Sequence, residues 1–90
     1  MQIVQYSSFE KTVKKLHANA KLDLDKAVKE LSQNPLVGEL KKGDLGGIRV
    51  YKFNMVRQLT LLAYSFDESA QIISLLALGS HENFYRDLKK

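Results

Sequence analysis

The stretch IRVYKFNMVRQLTLLAYSFDESAQIISLLALG, residues 48–79, decides the fold. Residues 48–54 are rich in Val, Tyr and Phe, and residues 59–66 in Leu, Thr, Tyr and Phe, the composition of pleated, half-buried strands. Residues 70–78 are apolar at both alternating positions, as in a central strand covered on each face. The intervening Val56-Arg57-Gln58 and Asp67-Glu68-Ser69 are short enough for hairpins, so the three strands are expected to pair antiparallel. Gly79-Ser80 breaks the last strand, and residues 81–90 have the length of one closing helix.

Upstream of this block, Gly38, Gly43, Gly46 and Gly47 surround Lys41-Lys42 and read as a loop. The glycines lack the Gly-Lys-Ser/Thr ending and following helix of a phosphate-cradling loop, so backbone freedom is their expected role. Before the loop, Leu24, Ala27, Val28 and Leu31 form one apolar helical stripe, which Asp23 or Asp25 can cap and Asn34-Pro35 stops. An earlier stripe, Phe9, Val13, Leu16 and Ala20, follows a Ser7-x-x-Glu10 spacing that predicts a capping box. Only a few residues separate the two helices, which are expected to form a hairpin. Residues 2–6 alternate as a short strand. The expected order is β-α-α-β-β-β-α, an α+β fold in which an antiparallel sheet packs on an N-terminal helical hairpin, with a C-terminal helix.

Ninety residues make a single domain, 1–90, with room for one core and none for a separate cofactor domain. Apolar residues are 44% and charged residues 27%, the proportions of a globular chain and not of a disordered one. The absence of cysteine excludes disulfide frameworks, thiolate zinc sites and thiol nucleophiles. With His17 and His81 the only histidines, no metal site and no cofactor are expected. Met1 to Tyr6 has neither the basic nor the apolar region of a signal peptide. The longest apolar run, Ala70 to Leu78, is interrupted by Gln71 and Ser74 and falls far short of the ~20 residues of a membrane span. A soluble, cytoplasmic protein without membrane contact is expected.

Charge placement supplies the first functional hint. Fourteen Lys and Arg against ten Asp and Glu leave +4, and residues 46–66 carry Arg49, Lys52 and Arg57 with no acid. Lys41 and Lys42 lie just upstream. Basic residues on strands and their approach loop suit a phosphate-binding face; a solvated edge strand kept soluble by cations is the structural alternative. Alternation puts Lys52 on the face of Ile48, Val50 and Asn54, opposite Arg49, Tyr51 and Phe53. Arg49 is therefore better suited to a salt bridge or a protein contact than to a phosphate shared with Lys52.

The element order, Gly47-Ile48-Arg49-Val50-Tyr51-Lys52-Phe53 after a basic glycine-rich loop, Asn34-Pro35-Leu36-Val37-Gly38 after the second helix, and Leu76-Ala77-Leu78-Gly79-Ser80-His81-Glu82-Asn83-Phe84-Tyr85 together resemble the RelE/ParE superfamily of toxins of type II toxin–antitoxin systems. The resemblance spans essentially the whole chain. It implies a cognate antitoxin partner, with operator DNA reached only through that antitoxin. It also implies one of two activities. RelE-like members cut messenger RNA on the translating ribosome; ParE-like members poison DNA gyrase without nuclease chemistry.

Metal-free RNA cleavage needs a base for the 2′-hydroxyl, a cation for the phosphate, an acid for the departing 5′-oxygen and a group that holds the nucleotide in line. Lys52 stands where the nuclease branch often carries Lys or His. Residues 79–85 resemble the Gly-Thr-His ending of a messenger-cutting group, which places His81 on the catalytic histidine and Tyr85 on the aromatic that orients a base. The resemblance thus implies Lys52, His81 and Tyr85 as catalytic residues, with Lys41, Lys42, Arg49 and Arg57 as RNA-binding cations. One departure stands out. The arginine that RelE-like nucleases carry on the third strand is Leu61 here, and a second lysine is Asn54, with Arg57 left to supply charge from the hairpin.

Overall fold

The computed structural model describes residues 1–43 and 46–80. Its order is β1 (Gln2–Gln5), α1 (Ser7–Lys14), α2 (Ala18–Gln33), β2 (Glu39–Leu40), β3 (Arg49–Met55), β4 (Gln58–Asp67) and β5 (Ile72–Gly79). The five strands form one sheet in the order β1-β5-β4-β3-β2. The β3–β4 and β4–β5 hairpins are antiparallel as expected. The sheet as a whole is mixed, because β1 runs parallel to β5, with Ile3 opposite Ile73. Inside the glycine-rich segment, Glu39-Leu40 adds an unexpected edge strand paired with Val50 and Arg49. The closing helix expected over 81–90 lies outside the described residues. Among those described, no helix is long and apolar enough to cross a membrane.

Both helices cover one face of the sheet. Phe9 of α1 and Leu24 and Leu31 of α2 join Leu62, Tyr64, Ile73, Leu75 and Leu78 in the main core, with Tyr51, Phe53 and Met55 packed against it. The other face carries a smaller cluster of Val50, Leu61 and Ala63, all buried. The alternation of β3 is therefore as read: Tyr51, Phe53 and Met55 point to the helices, while Val50 and Lys52 share the opposite face.

Helix boundaries differ from the periodicity. The Phe9 stripe does not continue through Ala20, since α1 ends at Lys14 and His17, in extended backbone, is the N-cap of α2. Asp23 and Asp25 consequently lie within α2 and cap nothing. The Ser7–Glu10 capping box is not made either. Tyr6 is the N-cap residue, which puts Ser7 one position inside the helix. Ser8 takes a longer-range role. A bulge between Ala63 and Tyr64 leaves Leu76 without a register partner, and the Ser8 hydroxyl donates to the Leu76 carbonyl at 2.7 Å. The bulge thereby becomes an anchor for α1. The end of α2 is as predicted, at Gln33 before Asn34-Pro35.

The β3–β4 loop is two residues, Val56 and Arg57, with φ of 51° and 65°. Positive φ at both central positions is the signature of a type I′ turn, normally the province of Asn-Gly. A β-branched residue there is strained by about 1–2 kcal/mol, and Val56, 45% exposed, gains little burial in return. Val56→Asn is therefore expected to stabilise the domain by about 1 kcal/mol, read as a rise in the urea unfolding midpoint without a change in slope.

Candidate phosphate-binding face

The site is built on β3. Lys52 sits at mid-strand, exposed, directly opposite Leu61 of β4. Leu61 is 0% exposed, so Lys52 stands beside a buried apolar residue. Asn54, next along the same face, is exposed. Arg57 is exposed in the turn that closes the hairpin. Among the described residues, neither Lys52 nor Arg57 makes an ion pair or a side-chain hydrogen bond. These two cations have no structural employment there.

The other expected cations separate from them. Arg49 lies on the helix side and donates to the carbonyls of Gly38 at 2.8 Å and Leu36 at 3.3 Å. The guanidinium therefore pins the loop after α2. Tyr64, its register partner on β4, completes the anchor: its hydroxyl donates to the Pro35 carbonyl at 2.8 Å and accepts the Gly38 N–H at 2.9 Å. Burial pushes the Tyr64 phenol above its ordinary pKa, opposed by the Gly38 N–H and the Arg49 charge. Lys41 is half-buried and pairs with Glu39 at 3.3 Å. Lys42 is exposed on the loop. His81 and Tyr85 lie outside the described residues.

A hollow of about 240 Å³ between α2 and β3 is lined by Asp23, Lys26, Glu30, Tyr51, Phe53 and Asn54. Tyr51 and Phe53 stack there, ring centroids 6.0 Å apart. Lys52 is exposed on the opposite face, the one that also carries the buried Val50, Leu61 and Ala63. Two contacts escaped sequence reasoning. The Arg49–Tyr64 anchor depends on a loop 11 to 29 residues away in the chain. The Asp23 carboxylate accepts the Val56 N–H at 2.8 Å across 33 residues.

Residues 3–89 match the family described as ParE-like toxin of type II bacterial toxin–antitoxin system. This chain belongs to that family. The chain is 17% identical to a chain of the intact Escherichia coli RelBE toxin–antitoxin complex, with a TM-score of 0.72 over 90% of this chain and 96% of that one. A free-state variant of E. coli RelE gives 0.75 at 15% identity, covering 98% and 90%. A YoeB/ParE toxin from Agrobacterium tumefaciens gives 0.70 at 17% identity, covering 90% and 99%. At these identities the likeness is one of fold. No curated protein sequence matches the chain. The ParE-like toxin is thus the toxin of a type II system on a RelE-like scaffold.

Proposed function

We propose that this toxin is a metal-independent endoribonuclease that cuts messenger RNA on the translating ribosome and is restrained by a cognate antitoxin. The observation that carries the reading is Lys52, an exposed mid-strand cation without a structural partner among the described residues, beside the buried Leu61. Lys52 holds the scissile phosphate while negative charge grows on its oxygens. A base removes the 2′-hydroxyl proton, the 2′-oxygen attacks phosphorus, and the 5′-oxygen leaves as it gains a proton, giving a 2′,3′-cyclic phosphate and a 5′-hydroxyl. His81 serves as the acid or base of that exchange, since imidazole gives and takes protons near neutrality. Tyr85 positions a base. Arg57 lies on the order of 12 Å from Lys52 along the hairpin, at ~3.3 Å per residue, so it grips a neighbouring phosphate and not the same one. Lys42 extends the footprint on the loop side.

A second reading has a specific support. Leu61 and Asn54 withhold two cations of the fullest nuclease site, and the matching family is described as ParE-like. A gyrase-directed toxin would need only the surface and no chemistry. The family's two-component description and the RelBE relative support an antitoxin partner; an acidic chain would suit the +4 charge.

Expression of the toxin alone is expected to arrest growth, and co-expression of the adjacent small gene to restore it. Under the nuclease reading, RNA from arrested cells carries new 5′-hydroxyl ends within coding sequence. Arrest with intact messenger and inhibited supercoiling would favour gyrase instead. Harmless expression of folded protein would overturn both.

A further inference from the structure

The turn that carries Arg57 is strained and exposed, yet it is clamped from outside. Val56 and Arg57 both hold left-handed backbone, a conformation that neither side chain favours. Their own burial offsets little of this, since both are exposed. The external contact is the Asp23 carboxylate, which accepts the Val56 N–H at 2.8 Å. A charged acceptor makes this one of the stronger kinds of hydrogen bond. Asp23 is half-buried on the sixteen-residue α2, whose Leu24, Ala27 and Leu31 are buried in the molecule, so the clamp is mounted on a fixed element. Strain held in place by a distant group is a known mark of a functional turn.

We infer that Asp23 is a positioning residue for the phosphate-binding face. Its carboxylate holds the Val56-Arg57 turn in the left-handed form and so fixes the direction in which Arg57 leaves the hairpin. Without the clamp, the turn relaxes towards right-handed backbone, the Cα–Cβ bond of Arg57 rotates, and the guanidinium loses its register with Lys52. Asp23 does not touch the RNA; it acts through Arg57. The inference rests on the reading of Arg57 as a phosphate ligand.

A double-mutant cycle on the full chain tests it. The probe is a single-stranded RNA oligomer with 2′-O-methyl sugars, which binds without being cut, followed by fluorescence anisotropy across a salt series. Asp23→Ala and Arg57→Ala are each expected to weaken binding roughly fivefold and to flatten the salt dependence by about 0.7 in log–log slope, one phosphate contact on a single strand. The double variant should bind no more weakly than Arg57→Ala, because Asp23 has nothing left to position. Asp23→Asn keeps an oxygen acceptor and should stay within about twofold of the parent; it also serves if the alanine variant fails to fold. A merely structural Asp23 would lower the melting temperature without moving the salt slope. That result, an additive double variant, or an Asn variant as weak as Arg57→Ala would overturn the assignment. If Arg57→Ala itself binds like the parent, the phosphate-ligand reading of Arg57 falls and the role of Asp23 falls with it. If Arg57→Ala weakens binding and Asp23→Ala does not, only the role of Asp23 falls.

Discussion

Lys52→Ala is expected to abolish growth arrest while leaving the fold intact. Lys52 is exposed and makes no ion pair among the described residues, so its removal should change stability by no more than about 0.5 kcal/mol. Its effect on chemistry should be far larger. Removing one preorganised group aimed at developing negative charge typically costs about 10²–10³-fold in rate, enough to silence a toxin. The neighbouring Leu61 offers no substitute, because that position is apolar and 0% exposed. Lys52→Arg separates the possible roles. A phosphate clamp needs only positive charge, so the arginine variant should retain much of the activity. A group that must itself give up a proton would fail as badly with arginine as with alanine, since guanidinium does not deprotonate in proteins. Retention is expected, measured as messenger cleavage by variants with matching circular dichroism melts.

The largest effect on stability is expected at Gly38. A Cβ there would stand 2.7 Å from both Cε1 and the hydroxyl of Tyr64, whose ring is 0% exposed and held at Pro35. The ring has nowhere to go. Gly38→Ala should destabilise the domain by about 1–3 kcal/mol, a fall in Tm of roughly 10 °C for a chain of this size. Tyr64→Phe removes the hydroxyl and leaves the Gly38 N–H and the Pro35 carbonyl without it, also at a cost of about 1–3 kcal/mol. The two changes share a contact and should not add. Tyr64 also sets an alkaline limit. Its pKa is raised in the folded state, so its contribution is complete below the unfolded value of ~10 and is lost as pH climbs from there through the folded value. Tyr64→Phe should therefore lose part of the fall in stability that the parent shows above about pH 10, measured by urea titrations at several pH values.

What the sequence made legible was local. Strand periodicity and two short gaps located β3, β4 and β5 to within two residues, because a hairpin is specified by the residues it contains. Asn34-Pro35 marked the end of α2 because proline restricts the residue before it. Alternation alone put Lys52 on the face away from Arg49, Tyr51 and Phe53, where the structure has it.

The errors were non-local or lacked a chemical marker. The break between α1 and α2 at residues 15–17 contains neither glycine nor proline, and the stripe from Phe9 to Ala20 runs across it unbroken. The parallel pairing of β1 with β5 joins chain segments some seventy residues apart, and nothing in either segment announces the other. Val56-Arg57 gave no hint of left-handed backbone, as neither residue belongs to the usual turn formers. In the sequence Gly38 reads as one more loop glycine, whereas the approach of Tyr64 is what requires it. Of the candidate site, Lys52 and Arg57 were legible as cations in an acid-free stretch, and the structure adds that both are exposed. Arg49 emerged as a loop anchor because its partners are backbone carbonyls, which sequence does not display.

The most direct test of the central claim uses purified ribosomes carrying a defined messenger with an initiator tRNA in place and an empty A site. Parent toxin and Lys52→Ala are added in parallel, with 5′-end mapping of the messenger as the readout. A new 5′-hydroxyl end is expected within the A-site codon for the parent, with at least about a hundredfold slower appearance for the variant. An intact messenger with the parent, or equal cleavage by Lys52→Ala, would contradict it.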